Sequence, residues 1–150
     1  MEIRRLTGVD VPSLMRLYHQ LSPEDEFPSA EAAQEIWRRI EGQESIIYLG
    51  ALEAGEVVST CFLVIIPNLC HGGQSICLVE NVVTDAAYRR QGLGRKVIDE
   101  AVRIAREKGC YKVMLQSGCQ RTGAHRFYED IGFDGERKRA FDLRLTEESI

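Results

Sequence analysis

The chain has no apolar run near the roughly 20 residues that a helix needs to cross a bilayer. It also shows no internal repeat and no low-complexity segment. Its net charge is −4 and its isoelectric point is about 5.5. An overall positive field that would favour nucleic acid or an anionic membrane is therefore missing, and we expect neither partner. The 150 residues fit one domain, predicted to span 1–150.

No C-x-x-C pair occurs among the five cysteines, and their odd number leaves one unpaired in any disulfide scheme. Cys61, Cys77 and Cys110 lie in or beside apolar runs, where a thiol usually acts as a small hydrophobe. The sequence shows no secretory signal, so a reducing, cytoplasmic setting is expected. The three histidines are too scattered to predict a metal site.

Hydrophobic periodicity predicts the order β-α-α-β-β-β-α-β-α-β. Asp10 and Ser29 are candidate caps for the first two helices, and a hairpin is expected at Ala54-Gly55. A strand–helix–strand unit implies one parallel pair with a right-handed crossover. We expect an α/β fold with a mixed, mostly antiparallel sheet of about six to seven strands and about four flanking helices. The predicted strands cover 2–6, 45–53, 56–66, 75–84, 111–116 and 139–145, and the last two helices cover about 92–108 and 122–131.

The most informative segment runs from residue 80 to residue 95, E-N-V-V-T-D-A-A-Y-R-R-Q-G-L-G-R. A β-branched run ends there, a polar turn follows, and a glycine-rich sequence opens an amphipathic helix. The free N–H groups and the dipole at a helix start favour an anion, above all phosphate. The glycines fit neither a dinucleotide fingerprint, since Val97 stands at the third glycine, nor a nucleotide P-loop, since no G-K-[ST] follows.

What the glycines do fit is R-x-x-G-x-G, which here is Arg89 to Gly94. With this motif the chain resembles the GCN5-related N-acetyltransferases (GNAT), in which R/Q-x-x-G-x-G/A holds the pyrophosphate of acetyl-coenzyme A. A second motif, A-H-R-F-Y-E-D-I-G-F at 124–133, is similar to the A-x-x-F-Y-x-x-x-G-F segment of the family. The resemblance covers nearly the whole chain and implies the GNAT fold.

Within the family, the chain looks most like the glucosamine-6-phosphate N-acetyltransferases. The similarity lies in Glu80 ahead of the Val-Val strand end and in the G-C-Y-K stretch that starts at Gly109. The chain departs from them in having Gln116 in place of an Asp, a longer segment at 117–123, and Arg121 where many members have Asn.

The resemblance implies acetyl-CoA as cosubstrate, no metal, and direct attack of an amine in a ternary complex. Glu80 is the candidate general base; it is expected to share a strand face with Val82. Tyr128 is the candidate acid for the departing thiolate, since a phenol can protonate a thiolate. Ser22, Lys112, Arg121 and Arg144 are candidate acceptor contacts. The residues expected at the cofactor are Val82, Val83, Arg89, Arg90, Gln91, Gly92, Leu93, Gly94, Arg95 and Tyr128.

Three functions remain open from the residues alone. The first is an enzyme that acetylates a primary amine of a small molecule, for which an amino sugar phosphate is one candidate. The second is a non-catalytic acyl-CoA-binding regulatory module, which would need neither Glu80 nor Tyr128. The third is acetylation of protein or peptide amines, which a flap at 67–74 over the cleft would disfavour. The family resemblance also implies a homodimer.

Overall fold

The computed structural model describes residues 1–146 and divides the chain into two compact units, Met1–Met114 and a second that begins at Leu115. The strands are β1 (Glu2–Arg5), β2 (Ile46–Glu53), β3 (Glu56–Ile66), β4 (Ser75–Thr84) and β5 (Cys110–Leu115). The helices are α1 (Val11–Leu21), α2 (Ala30–Glu41), α3 (Leu93–Glu107) and α4 (Thr122–Asp130). Within residues 1–146, none of these helices is long and apolar enough to cross a membrane.

One sheet carries the five strands in the order β1-β2-β3-β4-β5. β1 to β4 pair antiparallel. Ala54 and Gly55 both have positive φ, 50° and 80°, which is the backbone of a tight hairpin between β2 and β3. The Ser75 N–H donates to the Gly109 carbonyl at 3.2 Å, so β4 and β5 begin side by side, as a crossover through α3 requires.

The core of the first unit lies on both faces of this sheet. One cluster joins α1 and α2 to the sheet through Leu14, Leu17, Trp37 and Val83. The opposite face packs against α3, where Val97, Ile98 and Ala101 are almost fully buried. Alternate residues of β2, β3 and β4 supply the sheet side of that layer, which is why these strands read as apolar runs. They include Leu49, Cys61, Leu63, Cys77 and Val79.

A buried polar network fixes the start of α1. Asp10 stands at the N-cap as predicted, but its carboxylate makes no cap bond into α1. It accepts instead from the Thr7 N–H at 2.7 Å and from both terminal nitrogens of Arg4 at 2.8 and 2.9 Å. The Arg4 guanidinium, and then the Thr7 N–H, hold the pKa of Asp10 below its usual range against the opposing effect of burial.

The predicted strand at 139–145 is not formed, so the described residues contain five strands rather than six to seven. Its apolar side chains Phe141, Leu143 and Leu145 are 88%, 85% and 91% exposed. Alternation indicates which face a strand would bury, but a strand also needs a hydrogen-bonded neighbour, and sequence alternation does not supply one. The other predicted strands and helices are present with ends that differ by a residue or two.

Candidate active site

The central feature of β4 is a β-bulge at Asn81. Phe62 of β3 pairs with Glu80, whereas Thr60, two residues away, pairs with Val83, so β4 holds one extra residue in this interval. Asn81 has φ of 51°, the left-handed conformation that asparagine tolerates better than most residues. A bulge breaks the regular pairing and turns backbone groups out of it. The main chain at Asn81 and Val82 is therefore positioned to bind something other than β3.

The bulge also changes which side chains share a face. Residues directly opposite on paired strands lie on the same face, so Glu80 lies with Phe62 and Val83 with Thr60. The expectation that Glu80 shares its face with Val82 is therefore wrong, because the extra residue shifts the alternation by one position. Val83 is buried in the cluster formed with α1 and α2, and Glu80 is partly buried on the same side.

Aromatic side chains line this face of the sheet beside Glu80. Phe62 stacks on Tyr48 with ring centroids 4.7 Å apart, and Tyr48 meets Trp37 edge-on at 5.1 Å. The Tyr18 hydroxyl is buried, and the Asn81 side chain is close enough to lower its pKa as a hydrogen-bond partner. Burial, and then the neighbouring Tyr48, raise the pKa of Tyr18, so its hydroxyl stays protonated.

A short turn of 3-10 helix, Ala86–Tyr88, follows β4 and is held by side chains at both ends. Asp85 accepts from the Ala87 N–H at 2.8 Å and so caps this turn. The Arg89 Nε donates to the Thr84 carbonyl at 3.2 Å. Arg89, expected at the cofactor, thus also ties the loop back to the end of β4.

The glycine-rich segment then enters α3 through two left-handed residues, Arg90 with φ of 62° and Gly92 with φ of 74°. The helix begins at Leu93, and its first bond runs from the Lys96 N–H to the Gly92 carbonyl at 3.1 Å. By helix geometry, the N–H groups of Leu93, Gly94 and Arg95 have no partner within the helix. Among the described residues, no side chain caps the start of α3, and its first turn contains no acidic residue.

These features allow the start of α3 to bind a negatively charged group of a ligand. The N–H groups point along the axis and the helix dipole adds partial positive charge. The Arg95 Nε lies 3.7 Å from the Asp99 carboxylate on the exposed helix surface, so its charge is partly shared. The backbone N–H groups can therefore bind a phosphate without any movement of a side chain. A site of this kind suits a cosubstrate that carries a pyrophosphate.

The second unit contains the other candidate catalytic residue, Tyr128, on α4. Tyr128 meets Phe127 and Phe133 edge-on, with ring centroids 5.2 and 5.9 Å apart. The Phe133 N–H donates to the Tyr128 carbonyl at 3.0 Å and closes the helix end. The F-Y and G-F parts of the 124–133 motif therefore form one local aromatic group.

The candidate acceptor contacts lie apart along the chain. Ser22 ends α1, and its N–H donates to the Tyr18 carbonyl at 3.0 Å. Lys112 on β5 lies over the Tyr111 ring at 5.5 Å. In the second unit, Arg121 precedes α4, and the Arg144 Nε donates to Asp142 at 2.6 Å.

The loop at 67–74 leads into β4 and contacts the start of β5. His71 stacks on Tyr111 with ring centroids 4.0 Å apart and an angle of 17° between the rings. The turn before α3 follows the other end of β4, and a ten-residue strand is about 30 Å long. The loop and the glycine-rich segment therefore lie at opposite ends of β4. Whether the loop narrows an acceptor cleft stays a prediction.

Glu80, Val82 and Val83 lie in the last part of β4, and the capped turn and the 89–95 segment follow them along the first unit. Sequence reasoning missed Asn81, although an asparagine inside a β-branched strand is itself a signal for a left-handed bulge. It also missed Tyr18 and Gln20, two α1 residues that reach β4 and the turn that follows it. No local pattern marks those two contacts, because they join parts of the chain more than 60 residues apart.

The chain is similar to known proteins over most of its length. The model of the acetyltransferase (GNAT) family matches residues 11–133. A glucosamine 6-phosphate N-acetyltransferase of Trypanosoma brucei brucei is 33% identical over 145 residues, covering 95% of this chain and 96% of the relative. A putative acetyltransferase of Agrobacterium tumefaciens is 34% identical with a TM-score of 0.92, covering 97% of this chain and 100% of the other. A glucosamine-6-phosphate N-acetyltransferase of Arabidopsis thaliana, 20% identical over 98% of each chain with a TM-score of 0.81, shares the fold.

Proposed function

The chain belongs to the acetyltransferase (GNAT) family, acetyl-CoA-dependent N-acetyltransferases, and on that premise we propose that it acetylates the primary amine of an amino sugar phosphate. The main observation behind the proposal is that a bulge, a capped turn and an uncapped helix start follow one another along residues 80–95. Together these elements offer a base, a break in strand pairing and a phosphate site along one continuous segment.

In this proposal the N–H groups at Leu93 to Arg95 bind the pyrophosphate of acetyl-CoA, with charge added by Arg89, Arg90 and Arg95. The pantetheine arm runs along the end of β4 and pairs with main chain at Val82 and Val83, like an added strand. A backbone N–H there donates to the thioester oxygen and stabilises the oxyanion that forms during attack. The left-handed Asn81 supports this step, because the bulge releases neighbouring backbone groups from β3.

Glu80 serves as the general base, directly or through one water. The incoming amine must be neutral, so it loses a proton before or during its attack on the thioester carbon. The tetrahedral intermediate then collapses, the C–S bond breaks, and the thiolate of CoA leaves. Tyr128 donates the proton that this thiolate takes up, since a phenol near pKa 10 and a thiol near 8.5 are close enough for transfer.

An amino sugar phosphate is favoured as acceptor by the relative from Trypanosoma brucei brucei, which matches over nearly the full length of both chains. Ser22, Lys112, Arg121 and Arg144 are the proposed contacts to its hydroxyl and phosphate groups. Cationic side chains suit a phosphate because they make charge-assisted hydrogen bonds to it. A binding module without catalysis and a protein-amine acetyltransferase are the alternatives that the experiment must separate.

We also propose that the chain works as a homodimer. The support is the alternating pattern of Phe141, Leu143 and Leu145, which are largely exposed in one chain. A second copy would bury these side chains, and large exposed apolar groups in regular alternation are typical of surfaces that associate.

The decisive experiment combines calorimetry with a thiol-release assay. Acetyl-CoA is titrated into the protein, and CoA production is then followed with glucosamine 6-phosphate, with other amines and with a peptide amine. Saturable binding and turnover with the sugar phosphate support the proposal. Binding without turnover for any amine supports the regulatory module, and turnover with the peptide alone supports the third function.

The phosphate site is tested by Gly94→Val, with Gly123→Val as the matched control. Both glycines are the second residue of a helix, Gly94 in α3 and Gly123 in α4. The added side chain at Gly94 crowds the N–H groups, and we expect a dissociation constant for acetyl-CoA at least about 100-fold higher. Valine has better helix propensity than glycine, so the melting temperature should not fall. Equal affinities in the two variants would contradict the site.

A further inference from the structure

Gln20, an exposed residue near the end of α1, joins this helix to the turn that follows β4. Its Nε2 donates to the Asp85 Oδ2 at 3.0 Å, and its Oε1 accepts from the Ala86 N–H at 3.0 Å. The two contacts cross 65 and 66 residues of chain. A single neutral amide thus makes one donor and one acceptor contact to adjacent residues of the turn.

Together with one bond inside the turn, these bonds form a hydrogen-bonded ring of Gln20, Asp85, Ala86 and Ala87, which we call the Gln20 ring. The other Asp85 oxygen, Oδ1, accepts from the Ala87 N–H at 2.8 Å. Asp85 is therefore shared between the turn itself and α1, and Gln20 also holds the backbone of Ala86. An amide is the side-chain group suited to this position, because it offers a donor and an acceptor on the same carbon atom.

The connection between Asp85 and α3 has few other constraints. Ala86, Ala87 and residues 89–92 are exposed, so burial does not hold this part of the chain in place. This connection also contains two residues in the left-handed conformation, Arg90 and Gly92, just before α3. Loops with little buried apolar contact open easily, so their position depends on the polar bonds that remain. In this segment those are the Gln20 ring, the Arg89 bond to Thr84, and two backbone bonds, from the Asp85 N–H to Val58 and from the Tyr88 N–H to Asp85.

We propose that Gln20 is a positioning residue for the acetyl-CoA pyrophosphate site. It does not touch the cosubstrate; it fixes the turn whose chain leads into the N–H groups of α3. The inference rests on the proposed function, because it assigns Gln20 to the site that binds the cosubstrate. Its consequence is that α1, which lies far from the glycine-rich motif in sequence, sets the affinity for acetyl-CoA.

The test uses three variants that differ in hydrogen-bond pattern more than in shape. Gln20→Glu replaces the donor by a carboxylate oxygen facing Asp85. Asp85→Asn places an amide against the Gln20 amide, so one contact of the ring is lost in any orientation. The double variant, Gln20→Glu with Asp85→Asn, restores the pattern with the two groups exchanged. The amide introduced at position 85 then donates to the carboxylate introduced at position 20, and the remaining oxygen of each side chain still accepts from the backbone. The double variant has the net charge of the wild type.

We expect the dissociation constant and the KM for acetyl-CoA to rise about tenfold in Gln20→Glu and about threefold in Asp85→Asn. The double variant should return to within about twofold of the wild type. The kcat at saturating acetyl-CoA and the KM for the acceptor should stay within about twofold throughout. Amide hydrogen exchange of the ligand-free protein should show faster exchange at 86–92 in the single variants and recovery in the double variant.

Asp85→Asn separates positioning from simple charge. Removing a carboxylate near an anionic ligand should tighten binding if charge alone matters, whereas loss of the ring should weaken it. Tighter binding in Asp85→Asn, or no recovery in the double variant, overturns the inference while the proposed function stands. If the wild type does not bind acetyl-CoA, the proposed function fails and the inference fails with it. Unchanged exchange at 86–92 in both single variants also overturns the inference.

Discussion

The two units of the chain are built differently. Every residue that is buried in the described structure lies in the first unit, where the sheet is covered by α1 and α2 on one face and by α3 on the other. From Leu115 to residue 146 no residue is buried, and the large side chains Phe141, Leu143 and Leu145 are exposed. The first unit is therefore stabilised by an apolar core of its own, whereas the described residues of the second unit form no buried core.

The proposed catalytic residues are divided between these two kinds of unit. The proposed base and oxyanion donor lie on β4, whose geometry is fixed by packing against the core of the first unit. The proposed phosphate site belongs to the same unit but follows an exposed turn that is held by polar bonds. The proposed acid, Tyr128, belongs to the unit without a buried core. Rigid positioning matters most for binding and charge stabilisation, while a proton donor tolerates adjustment as the substrate binds. The comparison predicts that the two units respond differently to the same kind of substitution.

The largest expected effect is on stability, and it tests the comparison directly. Leu63 is fully buried on β3, while Leu143 is 85% exposed. Leu63→Ala leaves a cavity and should lower the free energy of unfolding by about 3 kcal/mol. Leu143→Ala removes the same atoms and should change the stability of the isolated chain by less than about 0.5 kcal/mol. Thermal unfolding at low protein concentration measures both.

The same pair also reports on assembly. If a second copy covers Leu143, the melting temperature of the wild type rises with protein concentration and Leu143→Ala weakens that rise. Leu63→Ala should lower the melting temperature equally at all concentrations. A stability loss of several kcal/mol in Leu143→Ala at low concentration would contradict the view that this segment is uncovered in a single chain.

The next effect is on catalysis. Tyr128→Phe removes only the hydroxyl and should lower kcat by about 100-fold, the lower end of the range for a general acid. The dissociation constant for acetyl-CoA and the melting temperature should change little, since the ring remains against Phe127 and Phe133. Steady-state kinetics and calorimetry separate the two. Glu80→Gln is the comparison in the first unit, and its rate loss should be greatest at low pH, where the amine carries a proton. Full activity of Tyr128→Phe would assign the acid elsewhere.

Much of the first unit was predictable because its signals are local. Strands 56–66 and 75–84 were predicted with the bounds that the structure has, and the Ala54-Gly55 turn follows from two residues that accept positive φ. The glycine-rich motif likewise identified the start of α3 and the family. Periodicity and turn chemistry are properties of neighbouring residues, so a sequence displays them.

What sequence reasoning missed depends on distant contacts. The bulge at Asn81 changes the face of every later residue in β4, and its register is set by pairing with Thr60 and Phe62. The bonds of Gln20 to the turn exist only because the core brings α1 beside β4. The segment 139–145 has the alternation of a strand, yet strand formation depends on a neighbour that its own sequence does not specify.

The smallest of the three effects contrasts one polar contact in each unit. Asp10 is buried and bound by Arg4 and Thr7, whereas Asp142 binds Arg144 at 2.6 Å on an exposed surface. Asp10→Asn should cost about 2 kcal/mol, since a charge-assisted bond to a buried acceptor is lost. Asp142→Asn is the matched change and should cost less than about 0.5 kcal/mol, because exposed ion pairs contribute little.

The Asp10 effect should also depend on pH, with a sign that follows from its lowered pKa. The folded state favours the ionised carboxylate, so its contribution is complete above the unfolded pKa near 3.9 and is lost as pH falls below that value. The gap in melting temperature between wild type and Asp10→Asn should therefore be constant from about pH 5 to pH 8 and should close below about pH 4. A gap that persists undiminished at about pH 3 would mean that Asp10 acts through shape and not through its charge, and the contrast with Asp142 would then reflect burial alone.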